Sequence, residues 1–241
     1  MKQVLKVEGL CKRYAKNADY AVESVTFSCG SGEIVGLLGH NGAGKSTTLK
    51  CLEVMLPYDE GVIEICGEDV KKSGIKAKSH MGFVTDNHAV FLRLTGLEYL
   101  SFMADVYGVK TAERRERVKE LDEVFQLGEA LKRLISSYSH GMRQKICMMG
   151  SLLHRPRLWV LDEPMTGLDP RTMKAVKDFM REYADAGNGI LFSSHALDTV
   201  ARLCDRAVLL RRGKRMDELS GTQLRDREFD IEEYFLKHEN V

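Results

Sequence analysis

The sequence predicts an α/β protein with a parallel sheet at its core, an antiparallel β layer near the N-terminus and an inserted helical subdomain. Three observations predict this architecture. Short apolar segments alternate with amphipathic segments through most of the 241 residues, as they do in parallel α/β proteins. The segment up to about residue 30 shows the alternation typical of strands. From Gly96 to Leu153 the periodicity is helical and interrupts the core pattern.

Composition and charge indicate a globular chain that can bury a large core. Apolar residues make up 44% of the sequence, charged residues 29%, and the formal net charge is +1. Such a charge gives no bulk attraction to nucleic acid or anionic lipid. No apolar run approaches the ~20 residues that cross a bilayer, and the N-terminus lacks the apolar centre of a signal peptide. If the chain acts at a membrane, we expect a partner to span it.

Six cysteines are scattered along the sequence. They form no C-x-x-C pair, and no histidine lies at zinc-ligand spacing from them. We therefore expect reduced thiols, as in cytosolic proteins.

The first half of the core is predicted from short apolar runs bounded by glycine. Residues 33–39 form such a run and end in glycine, as expected for a buried strand. A helix is expected at 45–55 and a strand at 61–67. Another short strand at 80–86 precedes the helical stretch. There, Val118, Leu121 and Phe125 recur at helical spacing within a highly charged segment, which predicts an amphipathic helix with solvated charges.

The second half of the core repeats the alternation of strand and helix. Residues 157–163 form an apolar strand that ends in carboxylates. The helix predicted at 171–187 places Met173, Val176, Met180 and Tyr183 on one face and ends at Gly187. The remaining predicted elements are a strand at 189–195, a helix at 196–204 and a strand that turns at Gly213. We expect one domain over 1–218, with the helical subdomain at about 87–155, and a short helical tail over 219–241.

A glycine-rich segment follows the first buried strand. Gly39, Gly44, Lys45 and Ser46 match the pattern G-x-x-x-x-G-K-S/T. Glycine lets backbone N–H groups surround an anion, and the following helix directs its positive end at the same place. We expect Lys45 to reach the β and γ phosphates of a nucleotide and Ser46 to place its hydroxyl on Mg²⁺. The expected nucleotide contacts are Gly39, His40, Asn41, Gly42, Ala43, Gly44, Lys45, Ser46 and Thr47. The alternative is a glycine turn beside a surface lysine.

Two adjacent carboxylates, Asp162 and Glu163, stand at the end of the strand at 157–163. Ligands of parallel sheets collect at the carboxyl ends of the strands. We expect Asp162 to hold Mg²⁺ through water and Glu163 to act as the general base that polarises the attacking water. A solvated strand end is the alternative for this pair taken alone.

Five segments resemble the motifs of ATP-binding cassette (ABC) ATPases, in the same order and at about the same spacing. They are GHNGAGKST at 39–47, YSHGMRQK at 138–145, LWVLDEP at 158–164, TGLDP at 166–170 and SSHAL at 193–197. The resemblance extends from Tyr14 to about residue 216. It implies the P-loop (RecA-like) form of the α/β fold, ATP hydrolysis, and ATP and Mg²⁺ as ligands.

The resemblance assigns roles to further residues. Ser139 and Gly141 stand where the family has its signature loop, often written LSGGQ, which caps the γ-phosphate held by a second subunit. His195 resembles the histidine that contacts the γ-phosphate. Asp169 resembles a residue of the loop that joins the two subunits, and Tyr14 resembles the aromatic residue that stacks on adenine. Each residue taken alone has an ordinary structural alternative.

The sequence departs from the family pattern at several positions. Tyr138, His140 and Met142 replace three residues of the signature loop, and His40 stands where proline is common. Asp86 occupies the position of a family glutamine. Its carboxylate could reach Mg²⁺ through water, but we do not expect it to bind nucleotide as the amide would.

The resemblance implies a function that needs two copies. The signature and the phosphate loop would come from different subunits, so ATP would join a homodimer or a heterodimer with a similar cassette. We expect the ATPase subunit of a membrane transporter, because the motifs resemble those of the branch that serves bacterial exporters of drugs, peptides or lipids. It would lie in the cytoplasm, peripheral on the inner face of the cell membrane, and dock on an integral membrane subunit.

Two other functions compete with transport. A soluble ABC ATPase acting on ribosomes or chromosomes is the main alternative, but such proteins usually carry two cassettes or a long coiled coil, and nucleic-acid binding would favour a basic surface. The sequence shows one phosphate loop and one small basic cluster at 211–215, so we expect no nucleic acid. A regulatory cassette without hydrolysis would be expected to lack Glu163 or His195, and both are present.

Overall fold

A computed structural model describes residues 2–16, 18–85, 91–226 and 233–234. Within these ranges the chain forms ten strands, eight α-helices and two 3₁₀ turns. The strands are β1 (Gln3–Lys12), β2 (Val22–Gly30), β3 (Ile34–Leu38), β4 (Glu60–Ile65), β5 (Glu68–Asp69), β6 (Met81–Val84), β7 (Leu158–Asp162), β8 (Gly189–Ser194), β9 (Arg206–Arg211) and β10 (Lys214–Ser220). The helices are α1 (Lys45–Leu52), α2 (Gly74–Ser79), α3 (Gly96–Val106), α4 (Thr111–Phe125), α5 (His140–Leu152), α6 (Pro170–Asp185), α7 (Leu197–Leu203) and α8 (Gly221–Arg225).

The strands form two sheets. One is antiparallel with the order β2-β1-β4-β5, and the other has six strands in the order β10-β9-β3-β8-β7-β6. In the larger sheet the five strands from β9 to β6 run parallel, and only β10 pairs antiparallel, as the edge strand of a hairpin with β9. The predicted parallel core with an N-terminal antiparallel layer is therefore confirmed.

The central strands separate two hydrophobic cores. Every residue of β3, β7 and β8 is buried, which explains their continuous apolar sequences. Side chains alternate between the faces of a strand. Thus Ile34 and Leu38 pack with the helices α3 to α6, whereas Val35 and Leu37 pack in the core that the antiparallel sheet closes. This arrangement holds the ends of β3, β7 and β8 rigidly side by side.

The helices α3, α4 and α5 occupy the stretch whose sequence is helical in pattern. Thr95 caps α3 in a box with Glu98, where each side chain accepts a hydrogen bond from the other residue's backbone N–H. Leu121 and Phe125 of α4 are buried, and Val118 is partly buried beside them. The proposed domain limits at 87–155 and 218 stay predictions, and β10 continues to Ser220.

Among the elements that were not predicted are β5 and α2. Both are short, and β5 has only two residues, which pair with Glu64 and Ile65. The helix α8 lies within the helical tail expected over 219–241. In the part of the chain that the structure describes, no helix has the length and apolar character that crossing a membrane requires.

The side chain of Glu53, just after α1, makes folding sensitive to pH. Its Oε2 is buried without a hydrogen-bond partner among the described residues. Burial raises the pKa of the Glu53 carboxyl from 4.5 to about 7, and the positive charge of Lys78 opposes this shift. Because the pKa of Glu53 is higher in the folded protein, this group favours folding most at a pH below 4.5, its pKa in the unfolded chain. The protein loses this stability as the pH rises through about 7.

We therefore expect Glu53→Gln to raise the free energy of unfolding at pH 8.5 by about 2 kcal/mol, a figure reduced for partial solvation. At pH 4 the variant and the wild type should be nearly equal in stability, because the wild-type side chain is then mostly protonated in both states. Urea unfolding at the two pH values measures this. Glu129→Gln, at a side chain that is 87% exposed, is the matched control. A Glu53→Gln effect that is the same at both pH values would contradict the explanation.

Candidate functional site

Three neighbouring strands deliver the predicted site residues to one edge of the parallel sheet. The phosphate loop follows β3, Asp162 is the last residue of β7, and His195 follows β8. The order β3-β8-β7 makes these strand ends neighbours. The carboxyl edge of a parallel sheet is where such proteins bind ligands.

The phosphate loop ends in a glycine that no other residue could replace without strain. Gly44 has a φ of 102°, and a Cβ at this position would lie 2.7 Å from the carbonyl oxygen of Ala21. Gly44 is also the N-cap residue of α1, and as a glycine it has no side chain with which to cap the helix. The first N–H groups of α1 are therefore directed at the space where an anion would bind.

Lys45 lies folded over the loop that precedes it. Its side chain is buried, and Nζ donates hydrogen bonds to the carbonyl oxygens of Gly39 at 2.5 Å and His40 at 3.2 Å. Nζ also lies 3.9 Å from Oε1 of Glu163. Burial lowers the pKa of the Lys45 ammonium group, and the charges of Glu163 and Asp162 oppose this shift. The loop thus holds a cation at its centre.

Asp162 is held by a serine on the neighbouring strand. It is buried, and its Oδ1 accepts a hydrogen bond of 2.5 Å from Oγ of Ser193. The same Oγ accepts a hydrogen bond of 3.0 Å from the backbone N–H of Glu163. Asp162 and Ser193 are register partners of β7 and β8. Ser193 therefore orients both carboxylate residues, a role that the sequence analysis missed.

Glu163 lies between the lysine and the histidine of the site. Its Oε2 is 3.0 Å from Nδ1 of His195, and its other oxygen is the one near Lys45. The Glu163 side chain is 22% exposed, whereas that of His195 is 64% exposed. The carboxylate is thus held at an open edge, where water or a phosphate group can approach it.

Ser139 and Gly141 form a second cluster at the start of α5. Ser139 is the N-cap residue, and its Oγ accepts a hydrogen bond of 3.3 Å from the N–H of Met142. A Cβ on Gly141 would lie 2.7 Å from the carbonyl oxygen of Gly167, so this glycine allows the two loops to meet. These contacts are with α5 and the loop before α6, whereas the contacts of Lys45 are with the phosphate loop and Glu163.

Asp169 belongs to this second cluster. It caps α6, with Oδ1 accepting from the N–H of Thr172 at 3.0 Å and Oδ2 from the Thr172 hydroxyl at 2.6 Å. These hydrogen bonds lower the pKa of the Asp169 carboxyl. The Asp169 carboxyl is thus held at the start of α6, within electrostatic reach of Lys145 on α5.

Tyr14 lies beside the phosphate loop with its ring open to solvent. Its hydroxyl is 3.0 Å from Oγ1 of Thr47, and the residue is 64% exposed. An exposed ring attached to the loop at its hydroxyl can stack on a planar base.

The metal site predicted at Ser46, Asp162 and Asp86 is described only in part. Asp86 lies outside the described residues, which contain no group of three or more histidine, cysteine or acidic side chains that could hold a metal. Mg²⁺ takes hard oxygen ligands and usually binds through one or two protein groups, water and phosphate. A hydroxyl on the phosphate loop and a buried carboxylate fit that set.

Comparison with known proteins agrees with this geometry. Residues 22–166, more than half of the chain, match the family described as ABC transporter. The chain belongs to this family. It is an ATPase cassette of α/β fold, and the family resemblance of its sequence is confirmed.

Two curated relatives are similar over most of the chain. The linearmycin resistance ATP-binding protein LnrL of Bacillus subtilis (strain 168) is 34% identical over 88% of this chain and 67% of its own length. The daunorubicin/doxorubicin resistance ATP-binding protein DrrA of Streptomyces peucetius is 36% identical over 88% of this chain and 64% of its own length. The chain thus spans about two thirds of these relatives.

Solved structures show the same fold. The ATP-binding subunit of an ABC transporter superimposes with a TM-score of 0.90 at 32% identity, covering 98% of this chain and 100% of that one. The cassette MJ0796, in a dimer bound to ADP and Pi, gives a TM-score of 0.81 at 23% identity over 90% of this chain and 98% of its own. The second likeness shows the fold alone.

Proposed function

We propose that the chain dimerises around ATP and drives a separate transmembrane subunit of an exporter. The position of Glu163, between Lys45 and His195 at the end of β7, is the observation that carries the hydrolytic part of this proposal. The relatives named for resistance to linearmycin and to daunorubicin support export. They favour transport over the alternative, a soluble ATPase that acts on ribosomes or chromosomes.

The residues at the ends of β3, β7 and β8 form the first cluster, and each has a part in hydrolysis. Lys45 leaves the loop carbonyls for the β and γ phosphates, and the N–H groups of the phosphate loop bind their oxygens. Ser46 and Asp162 would hold Mg²⁺, which would supply positive charge to neutralise the phosphates. Glu163 takes a proton from the attacking water while the water oxygen forms a bond to the γ-phosphorus. The bond from that phosphorus to the bridging oxygen breaks, and ADP keeps the electron pair. His195 contacts the γ-phosphate and orients Glu163.

The second cluster completes the site of a partner copy. Ser139 stands at the start of α5, where the helix end and its N–H groups favour an anion. Gly141 keeps this loop against the loop before α6, and Asp169 lies beside it. In two copies arranged head to tail, this surface caps the γ-phosphate that the partner's phosphate loop holds. Hydrolysis removes the shared phosphate and opens the dimer.

Exposed apolar side chains on α3 and beside it in the helical stretch support docking on a transmembrane subunit. Phe91 and Phe102 are each 42% exposed, and their ring centroids are 5.0 Å apart. Leu97, Val106 and Leu134 are 44%, 60% and 49% exposed. The rings of Phe91 and Phe102 face solvent side by side, and exposed apolar groups of this kind mark binding surfaces. A membrane subunit that covered them would hold the chain on the inner face of the cell membrane.

Co-purification from washed membranes tests this docking. The tagged chain should bring down a polytopic membrane protein, and Phe102→Glu should reduce the recovered protein at least tenfold because it places a charge in an apolar contact. ATPase activity of the isolated chain should change less than twofold. Ile75→Glu, at another exposed apolar residue that is 91% exposed, is the matched control. Equal recovery with Phe102→Glu and with wild type would contradict the docking surface.

A further inference from the structure

We infer that Gln144 is a positioning residue that fixes the peptide after Glu163 and so links α5 to the hydrolytic site of the same protomer. This inference rests on the proposed role of Glu163 as the base. Gln144 lies one turn into α5, and its side chain is completely buried. It reaches across to the segment that follows β7.

The amide of Gln144 can face this segment in only one orientation. Its Nε2 donates to the carbonyl oxygen of Pro164 and lies 3.4 Å from the carbonyl oxygen of Glu163. Both groups are acceptors, so the NH₂ group must point at them. Two hydrogen bonds from one buried nitrogen therefore hold two successive carbonyls.

The other end of the same amide has no partner in the part of the chain that the structure describes. Oε1 of Gln144 is buried without a hydrogen bond to any described residue. A buried acceptor without a donor destabilises the fold, and a methionine of similar size would avoid this loss. An amide at this position therefore costs stability, which indicates that it is present because its two donor hydrogens bind the carbonyls of Glu163 and Pro164.

The peptide that Gln144 holds needs support. Glu163 has a φ of 49°, in the left-handed region that side chains with a Cβ rarely adopt. Ser193 holds the N–H of Glu163 at 3.0 Å, and Gln144 holds its carbonyl side. With both sides fixed, the carboxylate stays between Lys45 and His195. Without Gln144, Glu163 can relax to an ordinary backbone conformation and turn its carboxylate away.

The same helix begins at Ser139, five residues before Gln144 in the sequence. A helix is rigid over so short a distance, about 7 Å at 1.5 Å per residue. A shift of α5 that seats Ser139 on the phosphate of one site therefore moves Gln144 and the base of the other site. Gln144 thus ties the capping of the partner's ATP to the alignment of the protomer's own Glu163.

Gln144→Met and Ser151→Ala separate positioning from general support of the helix. Gln144→Met keeps the volume and removes both donors, and we expect kcat to fall at least tenfold while KM for ATP stays within twofold. Ser151 also lies on α5, where its Oγ accepts from Nε1 of Trp159 at 3.0 Å and donates to the carbonyl of Met148 at 2.8 Å. Ser151→Ala should lower the melting temperature about as much as Gln144→Met does, but it should keep kcat within twofold.

Gln144→Glu gives a second measurement that does not depend on the methionine variant. A protonated Glu side chain donates one hydrogen bond to the Pro164 carbonyl, whereas the charged form repels both carbonyls. The ratio of the kcat of Gln144→Glu to that of wild type should therefore rise at least threefold from pH 8 to pH 6. At a temperature where both proteins remain fully folded at pH 6 and pH 8, a merely structural role would leave this ratio constant.

Three results would overturn the inference: a wild-type kcat for Gln144→Met, equal losses of kcat in Gln144→Met and Ser151→Ala, or a ratio for Gln144→Glu that does not change with pH. Glu163→Gln measured beside them keeps the two proposals apart. If Glu163→Gln hydrolyses ATP like wild type, the proposed base is wrong. If Glu163→Gln is inactive and Gln144→Met is fully active, only the positioning role is wrong.

Discussion

Glu163→Gln should lower the rate of ATP hydrolysis by roughly 10²- to 10⁴-fold, the range that a positioned general base contributes, while ATP still binds. Glutamine keeps the shape of the side chain and its contact with His195, but it cannot take a proton from water. Lys45 remains in the phosphate loop, so the dissociation constant for ATP should stay within about threefold. Phosphate release under saturating ATP and an equilibrium binding assay measure the two quantities separately.

The same variant should accumulate as an ATP-bound dimer, because the phosphate that joins two copies is no longer removed. Size-exclusion chromatography with ATP and Mg²⁺ detects this species. Asp178→Asn is a matched control, since Asp178 is an exposed acid on α6 paired with Lys174 at 2.7 Å. It should hydrolyse ATP like wild type. Wild-type hydrolysis by Glu163→Gln would show that another group activates the water.

Lys45→Ala should weaken ATP binding itself, by about 10- to 100-fold, the loss expected when one or two charge-assisted hydrogen bonds disappear. In the structure Nζ of Lys45 bonds to the carbonyls of Gly39 and His40, which are neutral acceptors that charged phosphate oxygens can replace. Removal of the ammonium group leaves the phosphates with backbone donors only. Titration with ATP by calorimetry measures the loss.

Lys50→Ala is the control for this variant, because Lys50 lies in the last turn of α1, away from the end that faces the phosphates. It should bind ATP as wild type does. An unchanged dissociation constant for Lys45→Ala would mean that Lys45 stays on the loop carbonyls when nucleotide is bound.

Much of the fold could be predicted because its central strands have unmistakable sequences. The strands β3, β7 and β8 are buried at every residue, and each appears as a short apolar run that ends at a glycine, an acid or a serine. The short elements β5 and α2 carry no such pattern. The strand β5 exists because its two residues pair with β4, and a pairing of this kind depends on tertiary structure.

The site could be predicted only where a motif names its residues. The structure places Lys45, Glu163 and His195 together, and Ser139, Gly141 and Asp169 around the loop before α6. Their roles stay predictions. Ser193 was missed because its partner becomes known only from the register of β7 and β8. Gln144 was missed because a single glutamine in an amphipathic helix normally faces solvent.

The central claim is that each ATP site is built from two copies of the chain, and mixing two inactive variants tests it most directly. Lys45→Ala keeps an intact signature loop, and Ser139→Ala keeps an intact phosphate loop. In a mixed dimer the phosphate loop of one variant faces the serine of the other and completes one site.

An equal mixture should therefore recover about a quarter of the wild-type rate, since random pairing of two protomers makes half of the dimers mixed. Each variant alone should show only its residual activity. If the mixture hydrolyses ATP no faster than the average of the two variants at every ratio, each chain works alone, and the account of a shared site is wrong.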